Sequence, residues 1–234
     1  MIKNIVSFSG GKDSTAMLLM MLKKNMPIDE IVFCDTGMEF PQMYEHIHAV
    51  EYCINRPITV LKAKHSFEHY LGTHIKRNGG IGYGFPDFRN RWCTTLLKQN
   101  IMRKHCKGHK EYHGIAVDEI HRVYKNNDNR IIEYPLVDWF ITEKQALEYC
   151  YKEGFKWGGL YEKFDRVSCW CCPLQPLGSL RVLRKNFPTL WDRLLTMQDK
   201  SWNSFQASGK TVFDLDKRFA EEDRQLQLFK GGLR

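Results

Sequence analysis

From its first residues the chain alternates short apolar runs with helical stretches, and that alternation leaves few architectures open. Ile2 to Phe8 reads as a strand, and Asp13 to Lys24 as a helix whose apolar faces are Ala16, Leu18, Leu19, Met21 and Leu22. Ile31 to Cys34 is a second buried strand ending at Asp35, and a helix from Pro41 to Cys53 follows. Pro41 suits a first helical turn, where its missing N–H would be unbonded anyway. Ile58 to Leu61 makes a third strand. Strands and helices at this spacing predict an α/β fold, Rossmann-like, with a doubly wound, mostly parallel sheet covered by helices on both faces.

Further along, the glycine-rich stretch Asn78 to Pro86 cannot be a regular element and reads as a loop, mobile over a site. A helix is expected from Cys93 to His105, a strand around Tyr112 to Val117, a turn at Asn126 to Arg130 and a strand from Ile131 to Tyr134. Thr142 is placed to cap a helix running to Glu153, with Glu143 favouring its first turn. Beyond a cysteine cluster near residue 170 the pattern is helical, Pro188 starting one helix with a stripe of Leu190, Trp191, Leu194 and Leu195. The expected division is a nucleotide-binding α/β domain over 1–175, cysteine cluster included, and a helical C-terminal extension over 176–234.

The composition, 43% hydrophobic and 26% charged over 234 residues, is that of a globular protein and too rich in ordinary core residues for a disulfide scaffold. No apolar run reaches the ~20 residues of a membrane span, and Met1-Ile2-Lys3-Asn4 leads into a strand without a signal-peptide core. The expectation is a cytoplasmic protein with no membrane partner. A formal net charge of +8 fits a protein that handles anions, nucleotides and nucleic acids alike.

Between the first strand and helix stands Ser9-Gly10-Gly11-Lys12-Asp13-Ser14. Glycines there let the backbone turn tightly so that several N–H groups point at one phosphate. The helix behind adds its unpaired N–H groups and the positive end of its dipole. The Walker spacing Gly-x-x-x-x-Gly-Lys-Ser/Thr and the dinucleotide pattern Gly-x-Gly-x-x-Gly are both absent from this loop. Asp35, at the end of the second strand, sits where a doubly wound sheet opens its crevice. Arg89, Arg91, Lys98 and Arg122 are candidates for an anionic ligand end, since guanidinium forks match phosphate and sulfate.

The hexapeptide resembles the PP-loop signature of the adenine nucleotide alpha hydrolase superfamily. Phe33-Cys34-Asp35-Thr36-Gly37, Gly114 through Glu119 to Arg122, Tyr134-Pro135-Leu136-Val137-Asp138-Trp139, and Leu160-Tyr161 leading to Ser168-Cys169 are similar to successive segments of the phosphoadenylyl-sulfate (PAPS) reductase family. The resemblance implies catalytic roles for Lys12, Asp13, Glu119 and Arg122. It implies nucleotide binding by Ser7, Ser9, Gly10, Gly11, Lys12, Asp13, Ser14, Asp35, Thr36, Gly114 and Arg91. The ligand implied is ATP with Mg2+, adenylyl sulfate (APS) or PAPS. Further expected partners are a nucleic-acid acceptor, a sulfur donor or thiol-reductant protein, and a second copy in a homodimer.

Of the eight cysteines, Cys34, Cys53, Cys106 and Cys150 lie in apolar or helical stretches where a buried thiol is the default. Cys169-Trp170-Cys171-Cys172-Pro173 is different: Cys169 and Cys172 make a Cys-x-x-Cys pair, which sets two sulfurs at metal-ligand spacing. By the same resemblance Cys93, Cys169 and Cys172 are metal ligands for a [4Fe-4S] cluster; either Cys171 is the fourth or one iron site is open, with zinc or a redox dithiol as rivals. Trp92 stands where cluster-bearing sulfonucleotide reductases have the first cysteine of a pair, and no cysteine follows Cys172, where those reductases carry a nucleophile in a C-terminal tail. The expectations are therefore a PAPS reductase-like enzyme, an adenylating ATP pyrophosphatase for nucleic-acid thiolation or phosphorothioation, or a non-catalytic redox sensor.

Overall fold

The computed structural model describes residues 1–125 and 130–231. In chain order the elements are β1 (Asn4–Ser7), α1 (Lys12–Lys23), β2 (Glu30–Asp35), α2 (Pro41–Ile54), β3 (Ile58–Lys62), α3 (Phe67–Gly72), α4 (Trp92–Thr94), α5 (Asn100–His105), β4 (Lys110–His113), β5 (Ile131–Glu133), α6 (Pro135–Asp138), α7 (Glu143–Lys152), α8 (Leu160–Lys163), α9 (Leu177–Asn186), α10 (Pro188–Lys200) and α11 (Val212–Gly231). They form two compact units, both discontinuous in sequence: Met1–Ala63 with Thr94–Val167, and Lys64–Cys93 with Ser168–Arg234. The segment 64–93, read from sequence as part of the nucleotide domain, thus shares a unit with the C-terminal helices.

The first unit holds a five-stranded sheet in the order β3-β2-β1-β4-β5, every neighbouring pair parallel. Ile5 and Val6 in β1 are fully buried, as a central strand covered on both faces requires. The order reverses between β1 and β4, and such a switch point opens a crevice at the strands' carboxyl ends. Helix α1 buries Ala16, Met17, Leu18 and Met21 and packs on α7. Thr142 caps α7 through a full capping box with Gln145, as the sequence led one to expect.

Three local expectations needed correction. The strand expected at 112–117 is β4 at Lys110–His113, because the chain turns at Gly114, with Ile115 N–H donating to the His113 carbonyl. The helix expected over 93–105 is broken by a π-turn at Thr95–Gln99 between α4 and α5. Cys53 is exposed rather than buried, whereas burial pushes the thiols of Cys34 up to about 11 and of Cys106 and Cys150 up to about 12. The turn expected at 126–130 falls largely on residues outside those described.

In the second unit α3, α10 and α11 enclose Leu71, Trp191, Leu194, Met197, Val212 and Phe219. The glycine-rich loop is bonded down rather than loose: Gly82 N–H donates to His74, Gly84 N–H to Leu71, and Phe85 N–H to Asn203 Oδ1. No helix among the described residues is long and apolar enough to cross a membrane.

Candidate functional site

The loop Ser9–Ser14 leaves β1 and enters α1 at the switch point. Gly10 has φ +78°, and a Cβ there would come within 2.8 Å of Met43 Sδ, so glycine is required on two counts. Ser9 and Ser14 hydroxyls meet at 2.9 Å, and Ser14 Oγ also accepts from Ser9 N–H and donates to the Gly11 carbonyl. The turn is clamped from outside: Trp157 Nε1 donates to the Gly10 carbonyl at 2.8 Å, and Tyr161 OH accepts from Lys12 N–H at 2.9 Å. His46 stacks on Trp157 and meets Thr15 Oγ1 at 3.0 Å; burial lowers its pKa to about 3, so it is a neutral brace.

Beside the loop a charged cluster forms. Lys12 Nζ lies 2.6 Å from Glu143 and 2.9 Å from Asp13. Among the described residues, the group of three metal-ligating side chains whose ligand atoms all fall within 4.8 Å of one another is Asp13, Glu119 and Glu143. Arg122 pairs with Glu119. Burial lowers the Lys12 pKa, but Asp13 and Glu143 outweigh it and the net shift is upward. For Asp13, burial first and then Glu143 and Glu119 push the carboxyl above its ordinary value, although Lys12 pulls it down.

Across the sheet Asp35 ends β2. Burial raises its pKa, yet bonds from Tyr44 OH at 2.7 Å and Gly37 N–H at 2.8 Å, with Lys62 at 3.2 Å, bring it below the usual range and keep it ionised. Thr36 is buried next to it and accepts from Met38 N–H. Lys98, expected to face an anion, instead pairs with Glu39 at 3.2 Å.

The thiols expected as ligands, Cys93, Cys169, Cys171 and Cys172, all belong to the second unit. Cys172 N–H donates to the Cys169 carbonyl, closing the Cys-x-x-Cys turn, and Gln175 Nε2 holds the Cys169 and Trp170 carbonyls. Trp92 is buried, stacks on Tyr83 and donates to the Gly84 carbonyl, so the residue at the substituted position serves the core.

The phosphoadenosine phosphosulfate reductase domain matches residues 3–175. The chain belongs to that family. Two uncharacterized proteins of Methanocaldococcus jannaschii are each 28% identical to it over 203 residues, covering 81% and 80% of this chain but 40% and 45% of their own lengths. The chain thus spans less than half of these relatives. Among solved structures, the phosphoadenylyl-sulfate reductase of Candida auris in its phosphate complex superposes with a TM-score of 0.51 at 18% identity, covering 73% of this chain and 83% of that one. That likeness bears on the fold, a Rossmann-type sheet.

Of the residues singled out from sequence in this family member, Ser9 to Ser14, Glu119 and Arg122 come together with Gly114. Gly114 acts through backbone fit: a Cβ on it would meet Ser14 N and Cα at 2.7 Å. Asp35 ends the neighbouring strand of the same sheet, and Thr36 follows it. Arg91 belongs to the other unit, as do the four thiols. Sequence reasoning read Glu143 only as a favourable first-turn residue and missed Tyr161, Trp157 and His46 as supports. No spacing signal links Lys12 to a residue 131 positions away.

Proposed function

We propose that the chain uses magnesium-ATP to adenylate an acceptor, with release of pyrophosphate, at the loop Ser9–Ser14. The observation that carries this reading is the carboxylate trio. Asp13, Glu119 and Glu143 bring three negative charges to the loop, while Lys12 and Arg122 return two. A phosphate or phosphosulfate entering such a set is repelled unless a divalent cation lies between. Carboxylate oxygens this close are hard donors of the kind Mg2+ takes.

On this reading Asp13, Glu119 and Glu143 would hold the cation, and Lys12, now paired with Asp13 and Glu143, would serve the phosphates. The loop N–H groups and the α1 N-terminus face the phosphates; Asp35 and Thr36 face the ribose. An acceptor nucleophile attacks the α-phosphorus, the bond to the bridging oxygen breaks, and pyrophosphate leaves with that electron pair while the acceptor proton passes to water. Mg2+ held by Asp13, Glu119 and Glu143 would supply charge neutralisation at the phosphates, and Lys12 offsets the charge that grows on the leaving oxygens.

The second reading, reduction of APS or PAPS, is favoured by the family match over residues 3–175. Cys93, Cys169, Cys171 and Cys172 are proposed to hold a [4Fe-4S] cluster, which when bound would carry electrons or bind sulfide. Four thiols in one compact unit, two of them in a Cys-x-x-Cys turn, support this reading, and zinc held by the same thiols is its rival. Anaerobically prepared protein incubated with ATP and Mg2+, or with APS or PAPS and a thiol donor, separates the two reactions. Pyrophosphate from ATP without sulfite from either sulfonucleotide is expected; sulfite release without pyrophosphate would replace adenylation by reduction.

A further inference from the structure

We propose that the second unit carries a binding surface for single-stranded nucleic acid, built on the segment 64–91 and Trp202. The inference does not depend on the adenylation reading.

Two observations carry it. The first is a continuous ladder of rings. His65 stacks on His69 at 4.2 Å between centroids, His69 meets His74 at 5.8 Å, and His74 stacks on Tyr83 at 5.3 Å. Lys76 Nζ lies over both Tyr83 and Trp202, at 5.8 and 5.7 Å, and Trp202 Nε1 donates to the Gly82 carbonyl. Trp202 is nevertheless 67% exposed, a large flat face left to solvent at the end of the ladder. Such faces accept bases of any sequence by stacking.

The second is charge. Among the described residues Lys64, Lys76, Arg77, Arg89 and Arg91 take part in no ion pair, and the segment offsets them with only Glu68 and Asp87. The helices of the same unit are the opposite case: Arg181 pairs with Glu222, Arg184 with Asp216 and Asp223, and Arg218 with Glu222. The unit thus pairs these helical arginines internally and leaves the cations of the loop for an external anion. Cations beside open ring faces match phosphates and unstacked bases together, which a duplex with its bases enclosed does not offer.

The test is fluorescence anisotropy of the whole protein with labelled RNA and DNA strands of about 12 nucleotides, a typical site size, against the matching duplexes and a polyglutamate peptide. Single strands of RNA, DNA or both are expected to bind more tightly than duplex, with affinity falling as salt rises. The double variant Lys76→Glu, Arg77→Glu should weaken binding at least about tenfold and flatten the log–log salt slope by about 1.4, two phosphate contacts' worth. Trp202→Ala should weaken it roughly tenfold, with Trp202→Phe largely restoring it, while Lys185→Ala on α9 leaves it unchanged. Thermal melts establish that the variants fold, and the exposed charge pair decides the matter if Trp202→Ala does not. Absence of binding at low salt, equal affinity for duplex or for polyglutamate, or indifference to the charge reversal would each overturn the proposal.

Discussion

At Gly114 a single missing methyl group decides whether the loop can form. The backbone of Ser14 stands where a Cβ would go, at 2.7 Å, and backbone cannot step aside as a flexible side chain can. Gly114→Ala should lower stability by about 1–3 kcal/mol, as overpacking does, and a denaturant melt will show it; an unchanged midpoint would contradict the fit described. Asp13 sets a different test. Its carboxyl titrates above the ordinary aspartate value because of burial and the neighbouring Glu143 and Glu119, and a metal needs it ionised. Mg2+ affinity should therefore be lost as pH falls through a value above the ordinary aspartate range, measured by calorimetry across pH, and Asp13→Asn should move that acid limb to lower pH. Stability has the opposite sign: with no metal bound, the raised pKa makes this group's contribution largest at low pH and lost as pH rises through it.

At the scale of elements, α7 and α8 support the loop from across the unit. Helix α7 begins with its capping box at Thr142, sets Glu143 against Lys12, and turns the Cys150 thiol onto the Lys12 carbonyl at 3.4 Å. Thr142→Ala should cost about 1 kcal/mol of stability, and on the adenylation reading it should also weaken Mg2+ binding, since the capped turn aims Glu143. Helix α8 supplies Tyr161. Tyr161→Phe keeps the ring but leaves Lys12 N–H without its acceptor, at a cost of about 1–3 kcal/mol. Hydrogen exchange should report faster opening at residues 10–14; unaltered protection there would mean that Trp157 alone holds the turn.

For the molecule as a whole, the discontinuity of the units matters most. Family resemblance ends at residue 175, yet Glu68 pairs with Arg193, Phe85 packs edge-on against Phe205, and a Cβ on Gly72 would meet the Lys200 carbonyl at 2.8 Å. A protein cut after residue 175 loses Leu180, Leu183, Trp191, Leu194 and Phe219 from the core around 64–93. It should be cleaved rapidly within 64–93 in limited proteolysis, while the sheet of the first unit resists. A protease-resistant 1–175 fragment would show that the segment folds without those helices.

The alternation of apolar runs and helices, the glycines before α1, the caps at Pro41 and Thr142 and the crowding of three thiols are local patterns, so sequence alone determined the parallel α/β fold, the place of the glycine loop and the cysteine turn. The register in which distant pieces meet is not local. Lys12 finds Glu143, Gly10 finds Trp157, and Gly114 finds the backbone of Ser14 only because β1 and β4 pair side by side and α7 packs on α1. Likewise Arg181 and Arg184 of α9 pair with acids of α11 that no spacing connects to them. Tertiary structure made those choices, because burial joins whichever faces can exclude water together, whatever their separation along the chain.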